Sequence, residues 1–421
     1  MSLVMSHTKQ QQFLLNLLKG GHTMIPLLFS FLLSPTAINA LTLHKLSSEV
    51  ANSTGAVCLD GSPPAVYFDP ASDPKSNTSW VIFFRGGGWC YDEDDCADRS
   101  LTDLGSTNQL DSELTYGGPL DSDSSNPFAG FNRVLFWYCD GASFSGDLAT
   151  PVSAKGHTMY FRGHRILDQL FNFLATDFGF SQATDVLLTG CSAGGLATFM
   201  HADYISSKLL PPSVSRFKAL PLSGFFLMHD TIYGKQLYSK QMKHVFKMQN
   251  CTHNVNENCI NSSITGEEWR CIFANETAAH VKTSIFIINS AVDKWQMQNI
   301  WLGDQTCVNN GEFDNCTTDE ISDLNEWQTD FLTDLTNTGL TTMKGNGIFI
   351  ESCSEHCAVD GPGFAQITID GVSMNDAVKQ WWNAPVDADP SEYTYLPCSL
   401  SDDTPHQCNP SCRIQKTSKM N

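Results

Sequence analysis

Ser192 stands in Gly190-Cys191-Ser192-Ala193-Gly194-Gly195, after the apolar run Val186-Leu187-Leu188 and before Leu196-Ala197-Thr198-Phe199-Met200. Gly-x-Ser-x-Gly between a strand-type and a helix-type segment is a nucleophile elbow. Its glycines permit a sharp turn that lifts the hydroxyl clear of the backbone, and the first N–H groups of the helix face the point where an attacked ester gains negative charge. The N–H of Ala193 is the natural first oxyanion donor. A serine hydroxyl also needs a histidine to take its proton and a carboxylate to hold that histidine in one tautomer. Asp293 follows the run Ile285-Phe286-Ile287-Ile288, and His356 follows Ile348-Phe349-Ile350, each a few residues past a strand-like segment. Gly86-Gly87-Gly88-Trp89 follows Val81-Ile82-Phe83-Phe84, so the N–H groups of Gly88 and Trp89 are candidates for the remaining oxyanion donors. The chemistry expected is acyl transfer through a covalent serine ester, with no metal and no cofactor. In the structural alternative, Asp293 caps a helix near Trp295 and His356 is wedged between bridged cysteines. His157, His164, His201 and Glu355 are less well placed for the base and acid roles.

These residues need a scaffold that delivers them to one edge. The runs Trp80–Phe84, Val134–Tyr138, Asp185–Leu188, Ser284–Ile288 and Gly347–Ile350 are nearly continuous in apolar residues, as strands buried on both faces should be. Helical spacing lies between them, at Ile166, Leu167, Leu170, Phe171 and Leu174, and again at Ile321, Leu324, Phe331, Leu332 and Leu335. Thr317 or Thr318 can cap the second helix, Asp319 and Glu320 suit its positive end, and Gly339 can stop it. Alternating strands and helices predict an α/β fold with a mostly parallel sheet covered on both faces, where ligands bind beyond the carboxyl ends of the strands. The order Ser192, Asp293, His356 is that of α/β hydrolases and not of the chymotrypsin or subtilisin types.

Residues 1–40 carry Lys9 and Lys19, no acidic residue, an apolar core from Met24 to Leu33 and a small residue at Ala40, the pattern of a signal peptide cleaved before Leu41. Its core is too short to span a bilayer, and no later segment reads as a span. Losing Lys9 and Lys19 takes the formal charge from −20 to −22, which argues against nucleic acid as a partner. The remainder, 41–421, reads as one enlarged domain of a secreted, extracellular or cell-wall protein with no stable membrane association, expected to be a monomer.

Fifteen cysteines in such a chain imply a disulfide framework with one thiol left over. Cys191 is the expected free one, since the elbow fixes its backbone, and Cys90 with Cys96 is a plausible local bridge. Zinc is the competing reading of Cys353-x-x-x-Cys357 and Cys408-x-x-x-Cys412. Glycosylation sequons at Asn52, Asn77, Asn250, Asn261, Asn275 and Asn315 predict surface positions. Residues 229–280 read as a disulfide-tied surface insertion, and 397–421 as a tail pinned by disulfides.

Several further stretches carry a resemblance. Cys58-Leu59-Asp60-Gly61-Ser62-Pro63-Pro64, Gly86–Cys90, Tyr138–Gly146, Phe161-Arg162-Gly163, Gly190–Ala197, Asp293–Gln296, Ser352-Cys353 with His356-Cys357, and Cys408-Asn409-Pro410-Ser411-Cys412 resemble the pectin acetylesterase family over nearly all of 41–421. That resemblance implies an α/β-hydrolase-like fold with Ser192, Asp293 and His356 as the triad and Gly88, Trp89 and Ala193 as the oxyanion hole. The function it implies is removal of O-acetyl groups from a cell-wall polysaccharide, pectin foremost. The family's animal branch, Notum, instead removes a lipid from an acylated protein, so a lipid carboxylesterase is the alternative, and a silent glycan-binding protein is the alternative outside enzymes. Arg85 stands where the plant pattern has glutamate and Lys294 where it has an aromatic, while Ser354 and Glu355 fill a variable place. Either cation could meet a uronate or pair with a neighbouring carboxylate.

Overall fold

The computed structural model describes residues 40–303, 307, 315–397 and 409–412. The predicted leader, Cys398, Cys408 and most of the C-terminal tail lie outside them.

A ten-stranded sheet forms the centre, in the order β14-β11-β10-β9-β8-β3-β5-β2-β1-β4. Its strands are β1 (Leu41–Lys45), β2 (Ala65–Asp69), β3 (Ser79–Phe84), β4 (Glu113–Leu114), β5 (Asn132–Phe136), β8 (Asp185–Cys191), β9 (Arg216–Leu222), β10 (Phe286–Ser290), β11 (Gly347–Glu351) and β14 (Thr394–Tyr395). Two short hairpins, β6 (Val152–Ala154) with β7 (His157–Met159) and β12 (Thr368–Ile369) with β13 (Val372–Ser373), stand apart. From β5 to β14 the pairings are parallel, whereas β2, β1 and β4 add antiparallel pairs at one side. This is an α/β-hydrolase-like architecture, as the alternation predicts.

The continuous apolar runs are the central strands. Every residue of β3, β5, β10 and β11 is buried, because helices cover both faces of the parallel part. Strand β9 has no such sequence signal. It reads Arg-Phe-Lys-Ala-Leu-Pro-Leu, yet its position beside β8 buries Lys218, whose Nζ donates to the carbonyls of Trp381 and Ala384 at 2.7 and 3.0 Å. Burial lowers the Lys218 pKa to about 8.

The two expected helices form at Gly163–Asp177 and Thr318–Asn337. Thr317 caps the latter through a reciprocal capping box with Glu320, and Gly339 follows with φ of 73°. The stretch 229–280 holds the bridge Cys259–Cys271, but its helix Leu237–Met248 places Tyr238, Met242, Val245 and Phe246 in the main core. Asn52, Asn77, Asn250, Asn261 and Asn315 are exposed and Asn275 is half-buried.

Candidate active site

Loops at the carboxyl ends of β3, β8, β10 and β11 converge on one cleft. Ser192 stands between β8 and the helix Ala193–Tyr204 as its N-cap, with φ 62° and ψ −127°, a conformation that costs a non-glycine residue of order 1–3 kcal/mol. Its N–H is held by the carbonyl of Leu222 on β9 at 3.0 Å. The strain is thus imposed by the neighbouring strand and the helix behind it.

Asp293 is fully buried and uses both carboxylate oxygens. Oδ1 accepts the Gln296 N–H at 3.0 Å as a helix cap, and Oδ2 accepts from His356 Nδ1 at 2.7 Å. Helix cap and histidine partner are therefore two jobs of one side chain. The two loops are also tied directly: Ser290 Oγ donates to the Cys353 carbonyl at 2.6 Å, and the Ala291 N–H donates to that of Glu351 at 2.8 Å. Burial pushes the His356 pKa down, but the charge and hydrogen bond of Asp293, with the charge of Asp360, outweigh it and leave the ring above its usual 6.5.

His356 Nε2 has no hydrogen-bond partner, and Ser192 Oγ makes none among the described residues. Both line one open cleft of about 410 Å³ with Gly86, Gly87, Gly88 and Trp295. An unpaired serine and imidazole facing the same space are common in free enzymes and close up around substrate.

The N–H groups of Gly88, Trp89 and Ala193 also lack protein partners among the described residues. Gly88 holds φ of 64° with open space where a Cβ would go, so conformation and not crowding calls for glycine there. What fixes these peptides is the segment after β5. Tyr138 Oη donates to the Gly88 carbonyl at 2.7 Å, while Ser143 Oγ donates to the Ala193 carbonyl at 2.7 Å and accepts from Trp89 Nε1 at 2.8 Å. Ser143 itself sits at φ 53°, its N–H donating to Tyr138 Oη at 3.0 Å. Buried Asp140 holds the turn by accepting the N–H groups of Ala142 and Phe144 at 3.1 and 2.9 Å. Nothing in the local sequence assigns Ser143 and Tyr138 this role, although both lie in the Tyr138–Gly146 stretch that carries the resemblance.

One expectation fails. Cys191 is not free: it is bonded to Cys357, joining the residue before Ser192 to the residue after His356. The elbow does fix the Cys191 backbone, but the loop after β11 crosses to within a Cα–Cα distance of 5.9 Å, so no adjustment is needed. Among the described residues the free thiol is Cys251, buried against Ser145, with burial pushing its pKa to about 12. Cys90–Cys96 forms as expected, and Cys353 is bonded to Cys412, so neither Cys353 nor Cys357 offers zinc a thiolate. Cys58–Cys139 and Cys307–Cys316 complete the bridges among the described residues. Arg85 lines the cleft, stacks 3.6 Å from the Trp137 ring centroid and pairs with Asp103 at 3.1 Å, the carboxylate pairing that the sequence allowed.

A profile of the pectinacetylesterase family matches residues 38–413. The chain belongs to that family. It is 31% identical over 417 residues to pectin acetylesterase 5 of Arabidopsis thaliana, spanning 93% of each chain. It is 25% identical to the palmitoleoyl-protein carboxylesterase NOTUM of Mus musculus, over 88% of this chain and 72% of that protein. The crystal structure of the Wnt deacylase Notum from Drosophila superposes with a TM-score of 0.71 at 22% identity, covering 89% of this chain and 99% of that one. Membership in the pectinacetylesterase family makes the protein a carboxylic ester hydrolase.

Proposed function

We propose that the protein is a secreted serine esterase that removes acetyl groups from a cell-wall polysaccharide, pectin above all, using Ser192, His356 and Asp293. The observation that carries this reading is the His356–Asp293 hydrogen bond of 2.7 Å, which leaves Nε2 unpaired on the same cleft as a strained serine hydroxyl. Neutral His356 takes the proton of Ser192 as Oγ attacks the acetyl carbonyl. The N–H groups of Gly88, Trp89 and Ala193 hold the resulting oxyanion. Collapse expels the sugar oxygen, which receives the proton from His356. Water, deprotonated by His356, then attacks the acetyl-serine, and acetate leaves as Ser192 regains its proton.

Acetyl rather than a long acyl chain is favoured by the relatives, pectin acetylesterase 5 at 31% identity against mouse NOTUM at 25%. Trp89 packs its ring against Phe226, Tyr238 and Trp295, with centroids 5.1, 5.9 and 5.6 Å apart, and Phe226 meets Trp295 at 5.2 Å. Of this block, Trp295 lines the cleft. Secretion is supported by six disulfides among the described residues, which persist in oxidising compartments, and no described helix is long and apolar enough to cross a membrane.

The test is acetate release from acetylated pectin and acetylated xylan by wild type and Ser192→Ala. Wild type should release acetate, and the variant should fall by ~10⁶, the scale of losing a triad serine. With p-nitrophenyl esters, activity should drop from acetyl to octanoyl. A rise with chain length, or no acetate from either polymer, would overturn the reading.

A further inference from the structure

Beside the catalytic cleft lies a second cavity of about 480 Å³, and the two share Tyr116 and Asp360 on their walls. Tyr116 Oη donates to Asp360 Oδ2 at 2.9 Å, while Asp360 Oδ1 is buried with no partner. In the second cavity Asn375, 7% exposed, donates through Nδ2 to the Ser125 carbonyl at 2.7 Å and leaves its Oδ1 unpartnered as well. A buried polar atom left without a partner costs about 1–3 kcal/mol, so two of them on residues that line this trough of two adjoining cavities point to a polar ligand that completes them.

The trough is built, not incidental. Gly117 and Gly118 press against the backbone of Val359 and Asp360 so closely that a Cβ on either would collide with a carbonyl oxygen. That contact seats Tyr116 on the loop after His356. Tyr116 is braced from behind by Phe83, with centroids 5.0 Å apart.

Resting on the reading of the protein as a polysaccharide esterase, we propose that Tyr116 and Asp360 bind the sugar next to the acetylated one, and that the chain of an acidic, uronate-containing polysaccharide continues into the cavity at Asn375. The acetylated sugar sits over Ser192, with Trp295 and Arg85 on its cleft; the neighbouring sugar lies across the shared wall. Arg85, partly neutralised by Asp103, supplies the positive charge on this path.

The charge on Asp360 bears on acidic sugars. Burial raises its pKa to about 7, against the opposing effects of the Tyr116 hydrogen bond and the His356 charge. The other charged or titratable groups on the two cavity walls are Arg85, His356, Tyr116 and Asp121. Below pH 7 a protonated Asp360 donates to a uronate or hydroxyl oxygen; above it, the carboxylate repels a uronate.

The experiment measures binding apart from turnover. A deacetylated hexagalacturonide is titrated calorimetrically into Ser192→Ala at pH 5 and pH 8, and into the same protein carrying Asp360→Asn or Tyr116→Phe. Binding should be stronger at pH 5 than at pH 8. Tyr116→Phe should weaken it at pH 5 by about 10-fold, the scale of one hydrogen bond to a charged or strongly polar partner, and Asp360→Asn should reduce the pH dependence, leaving the part that protonation of His356 contributes. In the catalytically active background, KM for an acetylated oligogalacturonide should rise in Tyr116→Phe relative to KM for p-nitrophenyl acetate in the same variant. Absence of binding by Ser192→Ala, or equal binding by the double variants with the pH dependence intact, overturns the proposal. Binding that behaves as expected with no acetate released by wild type would keep the sugar site and sink the esterase reading instead.

Discussion

Removing the Cys191–Cys357 bridge should cost both stability and rate, whereas removing a short bridge should cost only stability. The two cysteines are 166 residues apart in sequence, and on the chain-entropy account closing a loop of that length stabilises the fold by about 5 kcal/mol. Cys259–Cys271 and Cys307–Cys316 lie within that span and shorten it by few residues, which a logarithmic dependence barely registers. The same account gives about 3 kcal/mol for Cys259–Cys271, with its separation of 12. Taking ~2 °C per kcal/mol for a chain of this size, Cys191→Ala/Cys357→Ala should melt on the order of 10 °C lower, and Cys259→Ala/Cys271→Ala on the order of 6 °C lower. Calorimetry reads the melting temperatures, and turnover of p-nitrophenyl acetate well below them reads the chemistry. Only the first pair adjoins Ser192 and His356, the proposed nucleophile and base, so only it should lower kcat. After its loss the loop is still held by the His356–Asp293 bond and by the Cys357 N–H donating to Ser223 Oγ at 3.2 Å, so activity should fall but not vanish. Equal kcat in the two double variants would refute the idea that this bridge sets the register of serine and histidine.

Ser143→Ala should leave the Trp89 indole N–H and the Ala193 carbonyl without a shared partner; kcat should fall by about 10- to 100-fold, at or below the low end of what losing an oxyanion donor outright costs, with KM for a small ester little changed. Binding of a boronate transition-state mimic should weaken in step, and an unaltered inhibition constant would count against this role. Because the His356 ring is held above its usual 6.5 and must be neutral to accept the serine's proton, kcat/KM should fall on the acid side through a midpoint above 6.5. An NMR titration should show that midpoint moving below 6.5 in Asp293→Asn, where burial remains and the favourable charge is gone; an unmoved midpoint would disprove the assignment. Iodoacetamide at pH 8 should leave Cys251 unmodified in the native protein and label it after denaturation, since the thiol is buried and its pKa is pushed to about 12. Labelling of the native protein at Cys251 would show that the pocket around Ser145 opens.

The candidate site residues are legible because each lies within a few residues of the end of an apolar strand. Strand β8 and the glycines around its end dictate the turn at Ser192, and β10 and β11 end at Ser290 and Glu351, shortly before Asp293 and His356. These are local patterns, and a parallel sheet converts them into a common edge without further instruction. What distant elements supply was not legible. Strand β9 carries lysine and proline and is identified only by its neighbours β8 and β10. The bond from Cys191 to Cys357, the grip of Ser143 on Trp89 and Ala193 across 54 and 50 residues, and the meeting of Tyr116 with Asp360 across 244 residues all depend on which loops the folded sheet brings together. Sequence determined which residues are candidates for nucleophile, base and acid, because those candidates are marked by residue type and position along the strands. Tertiary structure alone decided which thiol is free among the described residues, what holds the peptides of Gly88 and Ala193 and which residues line the two neighbouring cavities, because contacts between distant loops leave no period in the sequence.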